Sequence, residues 1–307
     1  MTSAAGRAPG RAQAGPHPPG GSSAVLGRRG AHPGQFAFVL HQWDWSETSL
    51  ILDLFTRDRG RLAAVAKGAK RPYSQLRPVL MPFQRLLVLT GKPKAEEGAD
   101  ILSLRSAEYA GAGAALPASR LITGFYLNEL LMKLLARGDP HEALFDAYAD
   151  TLLALAQAPP AAADEAPLRA FELVLLQETG VLPDLACITS TQAPVKSEAS
   201  YQLQPEAGLA PADRHDSAPG GTISGAPSGA LTGAQCLLLQ AALKRHDLAA
   251  LRQACAAALP ALKLQLRPLL HYHLGSPPLR TRQMMLDVRR LLDSPPPAPF
   301  LSPAGLP

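Results

Sequence analysis

Ten basic side chains crowd into residues 57–94: Arg57, Arg59, Arg61, Lys67, Lys70, Arg71, Arg77, Arg85, Lys92 and Lys94, with Asp58 the single acid among them. That segment carries +9, whereas the rest of the chain holds 20 basic against 24 acidic residues and nets −4. The formal +5 of all 307 residues therefore understates a local excess. Such an excess suits a local anionic partner better than it suits general solubility. Trp43 and Trp45 precede the cluster and Tyr73 sits within it. Cations that neutralise phosphates, beside aromatic faces on which bases stack, are the chemistry of single-stranded nucleic-acid binding. The blander readings stay open: a charge run also serves as a solvated face, and the two tryptophans also serve as core or rim packing. A weaker patch follows near the C-terminus, where Lys263, Arg267, Arg280, Arg282, Arg289 and Arg290 stand against Asp287 and Asp293. It is either a second nucleic-acid surface or a charged solvent face that gains from helix C-terminal dipoles.

Catalytic and cofactor chemistry finds no foothold. The chain has no GxxxxGK[ST] phosphate loop, GxGxxG turn, HExxH pair or GxSxG elbow, which argues against an ATP-driven motor, a dinucleotide enzyme, a zinc hydrolase or a serine hydrolase. No enzyme activity and no cofactor are expected. His271 and His273 are one residue apart, and on a helix that spacing points them in different directions rather than at one ion. Cys187, Cys236 and Cys255 are odd in number and widely spaced, which fits neither a disulfide framework nor a metal knuckle. Cys236 and Cys255 fall within apolar helical patterns as small hydrophobes. A reducing cytoplasm fits this usage. No apolar run approaches the eighteen or so residues that cross a bilayer, so no membrane partner is expected.

The elements that must position the basic cluster follow from periodicity. Short apolar runs at residues 36–41, 48–56, 61–67, 82–90 and 101–109, separated by turn signals, read as five strands. Arg57-Asp58-Arg59-Gly60 has hairpin length. Five strands in so short a span make a small barrel, of the OB type or of an SH3-like type. Beyond Gly113 the period becomes helical: Leu121, Phe125, Leu127, Leu130, Leu131, Leu134 and Leu135 form one stripe ending near Gly138. Asp139 as N-cap, Pro140 at the first turn and Glu142 as capping-box partner announce a second helix, and a third follows Asp164 and stops at Gly180. Residues 182–230 are rich in Pro, Gly, Ser and Ala without periodicity and read as a loop-rich insertion. Helical order resumes after Thr232, whose spacing to Gln235 is again that of a capping box, with breaks expected at Asp247, Pro260 and Gly275 and a last helix over residues 279–292.

The expected organisation is thus α+β: a leader (1–34), a barrel (35–113), a helical domain in two parts (114–181 and 231–293) around the insertion (182–230), and a proline-rich tail (294–307). The leader's only charges are Arg7, Arg11, Arg28 and Arg29 among many Gly and Pro, so it is read as disordered. A transit peptide is the rival reading, although so much Gly and Pro opposes the amphipathic helix it needs.

The runs Phe38-Val39-Leu40-His41, Trp45-Ser46-Glu47-Thr48-Ser49-Leu50, Leu54-Phe55-Thr56, Gly60-Arg61 and Ala66-Lys67-Gly68-Ala69-Lys70-Arg71 resemble the N-terminal barrel of the RecO family of recombination and repair mediators. Leu80-Met81-Pro82-Phe83, Leu104-Arg105-Ser106-Ala107-Glu108, Tyr126-Leu127-Asn128-Glu129-Leu130-Leu131, Leu168-Arg169-Ala170-Phe171-Glu172 and Pro278-Leu279-Arg280-Thr281-Arg282 are similar to the same family. The resemblance covers residues 36–292 apart from the insertion. It implies a five-stranded OB-fold before an all-helical domain. It also implies binding of single- and double-stranded DNA, annealing of complementary strands in the RecF-type pathway, and work with a RecR-type ring protein to load RecA onto DNA coated by single-strand-binding protein. Its place would then be the cytoplasm, at the nucleoid. On this reading Arg57, Arg59, Arg61, Lys67, Lys70, Arg71 and Arg77 meet phosphates, Trp43, Trp45 and Tyr73 stack bases, and Arg267, Arg280, Arg282 and Arg289 form a second patch. Lys133 and Arg137 are the expected receivers of the coat protein's acidic tail. Some members carry a four-cysteine zinc site in the insertion; Cys187 alone is too few thiolates for it, so no metal is expected there. The alternatives are an RNA-binding barrel adaptor without a repair role and a protein scaffold whose charge is incidental.

Overall fold

Neighbouring residues of the first two strands are buried on opposite faces. In β1 (Gln35–Asp44) Ala37 and Val39 fill a barrel while Phe38 and Leu40 point away from it; in β2 (Leu50–Thr56) Leu52 and Leu54 fill the barrel and Phe55 points away. A strand's side chains alternate between its two faces, so strands buried on both faces read as continuous apolar runs, as these do. With β3 (Gly60–Ala66), β4 (Leu86–Thr90) and β5 (Ile101–Tyr109) they close a barrel of order β1-β2-β3-β5-β4, in which only β3 and β5 pair in parallel. This is the OB-like of the two barrels that periodicity allowed. Leu62, Ala64, Ala66, Leu86, Val88, Leu102 and Leu104 complete its core. The computed structural model describes residues 34–91, 101–111, 115–159, 165–212, 229–275 and 279–293, so residues 1–33 of the expected leader and the tail at 294–307 lie outside the described residues.

The outward face of β1 and β2 becomes the floor of the helical region. Phe38 and Phe55 pack their rings against Phe145 and Tyr148, with centroids 4.9 to 6.1 Å apart. Helices α1 (Leu121–Leu134), α2 (Glu142–Gln157), α3 (Glu165–Glu178), α4 (Gly233–Lys244), α5 (Leu248–Ala257), α6 (Leu259–Leu274) and α7 (Arg280–Asp293) follow. Asn128 joins the two layers, donating to the Leu40 carbonyl at 2.9 Å while its own side-chain oxygen accepts from the Tyr148 hydroxyl. Among the described residues no helix is long and apolar enough to cross a membrane.

Local signals and tertiary contacts disagree at three places. The Thr232–Gln235 capping box forms as expected, at 3.2 and 3.0 Å, and Asp247 caps α5. The cap expected from Asp139 does not: α2 starts at Glu142, preceded by His141 with no side-chain cap. The reason is tertiary. Gly138 donates to the Arg61 carbonyl at 2.9 Å and the Asp139 carbonyl lies against Gly60, so the strap 137–139 is drawn along the barrel edge instead of into the helix. Pro260, expected as a break, sits in the first turn of α6, where a missing N–H costs nothing. Finally, the insertion is not mere loop. Strands β6 (Ser200–Gln204), β7 (Gly208–Pro211) and β8 (Leu231–Thr232) form a sheet of order β7-β6-β8, and Leu185, Tyr201, Leu203 and Leu209 enter the helical core. Residues 213–228 of it lie outside the described residues.

Candidate nucleic-acid interface

The basic cluster is contiguous in sequence but not in space. Antiparallel β2 and β3 put the hairpin bearing Arg57, Arg59 and Arg61 at one end of the barrel, and the seven-residue β3 carries the chain to the other end before Lys67. At about 3.3 Å per residue the two groups are roughly 20 Å apart.

At the first end two of the three cations, Arg57 and Arg61, are occupied. Asp53 on β2 is fully buried, and Arg61 grips its carboxylate with Nε at 2.9 Å and Nη2 at 3.0 Å. The Arg61 Nη1 donates to the carbonyls of Leu135, at 3.0 Å, and Met132, which closes the C-terminus of α1. Arg137 adds a longer bond to Asp53 at 3.4 Å. Arg57 makes two parallel bonds to Asp146 on α2, at 3.1 and 3.0 Å, and pairs with Glu142 at 2.6 Å. A buried carboxylate is tolerable only with such partners. Arg57 and Arg61, expected at phosphates, instead bolt the barrel to the helices. Arg59 is exposed at the same end.

At the second end a cleft of about 310 Å³ is lined by Trp45, Ser46, Thr48, Lys67, Arg71 and Ile101, among others. The β1–β2 loop owes its shape to Ser46, whose hydroxyl accepts from the Thr48 and Ser49 amides at 3.4 and 3.2 Å. Gly68, at φ +71°, turns the chain after β3, and the Lys70 amide donates to the Thr48 carbonyl at 3.0 Å, tying the two loops together. The Lys70 ammonium is a brace as well, bonded to the Ser46 carbonyl at 3.2 Å and to Asp44 at 3.1 Å. Arg71 and Arg77 are exposed and make no ion pair among the described residues. Trp45 is 61% exposed in the cleft, while Trp43 lies edge-on against His41 on the barrel wall. Tyr73 is 94% exposed. Of the expected residues, Trp45, Lys67 and Arg71 come together at this cleft, and Arg77 and Tyr73 lie on the following loop. Lys92 and Lys94 lie outside the described residues.

A second cleft, of about 590 Å³, opens between α1, α3, α6 and α7. Its floor is apolar, with Leu168, Leu270, Leu274 and Leu279, and its walls carry Arg169, Lys263, Arg267 and Arg282. Arg169 pairs with the buried Glu172 at 2.6 Å, and the Tyr126 hydroxyl donates to the same carboxylate at 2.7 Å. Lys263 pairs with Glu165. Arg282 is different: burial lowers its pKa and the nearby positive charges of Arg267 and Arg169 lower it further. The walls thus hold more positive charge than they neutralise. Of the expected second patch, Arg267 and Arg282 meet here, Arg280 turns to solvent, and the Arg289 side chain lies outside the described residues. Sequence reasoning missed Arg169 as part of this site, although its spacing of three to Glu172 on a helix was legible. Lys133 and Arg137, the expected tail receivers, are not in the cleft: Lys133 lies 3.7 Å from Glu129, and Arg137 faces Asp53.

Two family models match the chain in tandem: Recombination protein O N terminal over residues 35–109, the barrel, and Recombination protein O C terminal over residues 118–283. The chain belongs to the RecO family. The DNA repair protein RecO of Verminephrobacter eiseniae (strain EF01-2) is 49% identical to it over 261 residues, covering 83% of this chain and 96% of the relative. The DNA repair protein RecO of Polaromonas naphthalenivorans (strain CJ2) is 48% identical over 258 residues, and that of Variovorax paradoxus (strain S110) 47% over 258, each with 83% of this chain and 96% of the relative covered. The boundary between the two RecO models falls between β5 and α1, where barrel gives way to helix. The zinc site that the resemblance attributes to some RecO proteins does not fit this chain's residues. Among the described residues no three His, Cys, Asp or Glu side chains gather, and Cys187 is the only thiol in the insertion.

Proposed function

We propose that this chain is a recombination mediator in DNA repair that binds single-stranded DNA in the barrel cleft and anneals complementary strands. The observation that carries the reading is the convergence of Trp45, Lys67 and Arg71 on one cleft, with Arg77 and Tyr73 beside it. An exposed indole offers a stacking face to any base, and the cations neutralise backbone phosphates, so the site tracks a strand without choosing a sequence. Annealing then needs no catalytic group and no nucleotide: two neutralised strands repel less and meet at higher local concentration. Double-stranded DNA binds the same cations through its phosphates, without the stacking.

The helical cleft is the proposed seat for the acidic, apolar tail of single-strand-binding protein. Unbalanced arginines above a leucine floor suit carboxylates next to an apolar side chain. A mediator built this way meets DNA at one cleft and the protein coating it at another, and with a RecR-type ring protein it helps RecA replace that coat.

The test is annealing of complementary oligonucleotides coated with single-strand-binding protein, without nucleotide, for wild type and for Trp45→Ala/Lys67→Ala/Arg71→Ala. Arg57 and Arg61 are left intact because their loss would unseat the barrel. Acceleration by wild type and none by the variant supports the reading; equal acceleration moves the site elsewhere. An RNA strand bound as well as DNA of the same sequence would favour the RNA-adaptor alternative.

A further inference from the structure

Glu129 lies within the Tyr126-Leu127-Asn128-Glu129 run of α1 and touches none of the residues lining either cleft by its own bonds. It is 8% exposed. Both its oxygens are spent on a helix 151 and 152 residues further along the chain: Oε1 accepts from the Arg280 amide at 2.9 Å, and Oε2 accepts from the Thr281 amide at 3.0 Å and the Thr281 hydroxyl at 2.7 Å. Those amides open α7. A helix N-terminus has N–H groups without intrahelical partners and a partial positive charge, so a carboxylate there satisfies donors and dipole together. Burial alone would raise the carboxyl's pKa, but the bonds from Thr281 and Arg280 and the charge of Lys133 bring it below its ordinary value. Those bonds therefore favour the anionic form of Glu129.

The outer side of α7 is open to solvent, with Met284 53% and Val288 38% exposed. Its inner side supplies Arg282, Met285 and Leu286 to the helical cleft. Arg282 is one residue beyond the capped Thr281, so whatever fixes the first turn of α7 also fixes that guanidinium opposite Arg267. We infer that Glu129 is a positioning residue, which clamps the first turn of α7 and so sets the arginine wall of the helical cleft. The consequence for ligand binding rests on the reading of that cleft as an acidic-tail site; the clamp itself does not.

The experiment uses the full chain and two readouts. Hydrogen exchange at the α7 amides reads the clamp, and a labelled peptide of the coat protein's acidic tail reads the cleft, with single-stranded DNA binding as a control at the barrel. Glu129→Gln keeps the shape but removes the charge, and should speed α7 exchange and weaken the peptide by about tenfold each, with DNA affinity unchanged. Thr281→Val removes one of the three bonds without touching α1 and should show the same signature at smaller amplitude, which separates the clamp from a general loss of fold. Unchanged α7 exchange in both variants overturns the inference. So does faster exchange with peptide affinity retained in Glu129→Gln while Arg282→Glu abolishes it. If Arg267→Glu and Arg282→Glu leave the peptide bound as in wild type, it is the cleft reading that fails, and α7 exchange alone decides Glu129.

Discussion

Arg61 and Asp53 face each other across β2 and β3 in a two-point grip, and the remaining nitrogen of Arg61 reaches out of the barrel to the last carbonyls of α1. One guanidinium thus answers a buried carboxylate and a helix terminus in the neighbouring layer. Breaking such a pair from one side leaves an uncompensated buried charge, which costs about 3–5 kcal/mol. Arg61→Leu should lower unfolding free energy by that amount in urea denaturation, while Asp53→Leu/Arg61→Met, which removes both charges, should cost much less. A single-variant loss below about 1 kcal/mol would show that the pair is dispensable.

The barrel cleft predicts a graded response to salt. Each cation that meets a phosphate on a single strand contributes about 0.7 to the slope of log affinity against log salt, so Lys67→Ala and Arg71→Ala should each flatten that slope by about this much. Trp45→Ala should cost about 1–3 kcal/mol for single strands of any sequence and far less for duplex, because stacking is lost without a change in charge. Arg59→Ala, at the other end of the barrel, should leave single-strand affinity unchanged. Fluorescence anisotropy across a salt series measures all four; a large effect at Arg59 would relocate the site.

What the sequence made legible depended on whether the deciding contact was local. The capping box at Thr232 and Gln235 uses residues three apart, and it formed as read. The strap at Asp139 carried equally good local signals and was overruled by Gly60 and Arg61, nearly eighty residues away. The insertion hid β6 and β7 because they are only five and four residues long and the second is bounded by Gly208 and Pro211. The site followed the same rule. Charge density marked out one segment, but the strand between Arg61 and Lys67 sends its two halves to opposite ends of the barrel, and nothing in composition says that Arg57 and Arg61 already have carboxylates. Glu129 is the extreme case, since its partners lie on a helix at the far end of the chain.

Gly60 tests the strap directly. It sits at φ +66°, in the left-handed region, and a Cβ there would stand 1.8 Å from the Asp139 carbonyl oxygen. Gly60→Ala should therefore destabilise by more than the roughly 1 kcal/mol of the backbone conformation alone, since the strap must also move. Thermal unfolding measures it. A shift no larger than that of an alanine at Gly138, which has φ +75° and open space around it, would mean that the strap yields freely.

The cysteines should differ in reactivity. Cys236 and Cys255 are fully buried, and burial pushes each thiol up to about 12, so neither presents thiolate near neutral pH. Cys187 is partly exposed. A maleimide at pH 7 should label Cys187 alone in the native protein and all three sites only after denaturation, as read by mass spectrometry. Early labelling of Cys255 would report opening of the α3–α5 contact.

The clamp on α7 has a pH signature whose sign follows from the lowered pKa of Glu129. A carboxylate stabilised in the folded state contributes fully above its unfolded value, about 4.3, and loses that contribution as pH falls through the lower folded value. Protection of α7 amides, corrected for intrinsic exchange, should thus be flat from pH 8 to pH 5 and decline only in stronger acid. In Glu129→Gln the protection should be lower at neutral pH and show no such decline of its own. A drop in wild-type protection centred well above pH 5 would show that Glu129 is not the group responsible.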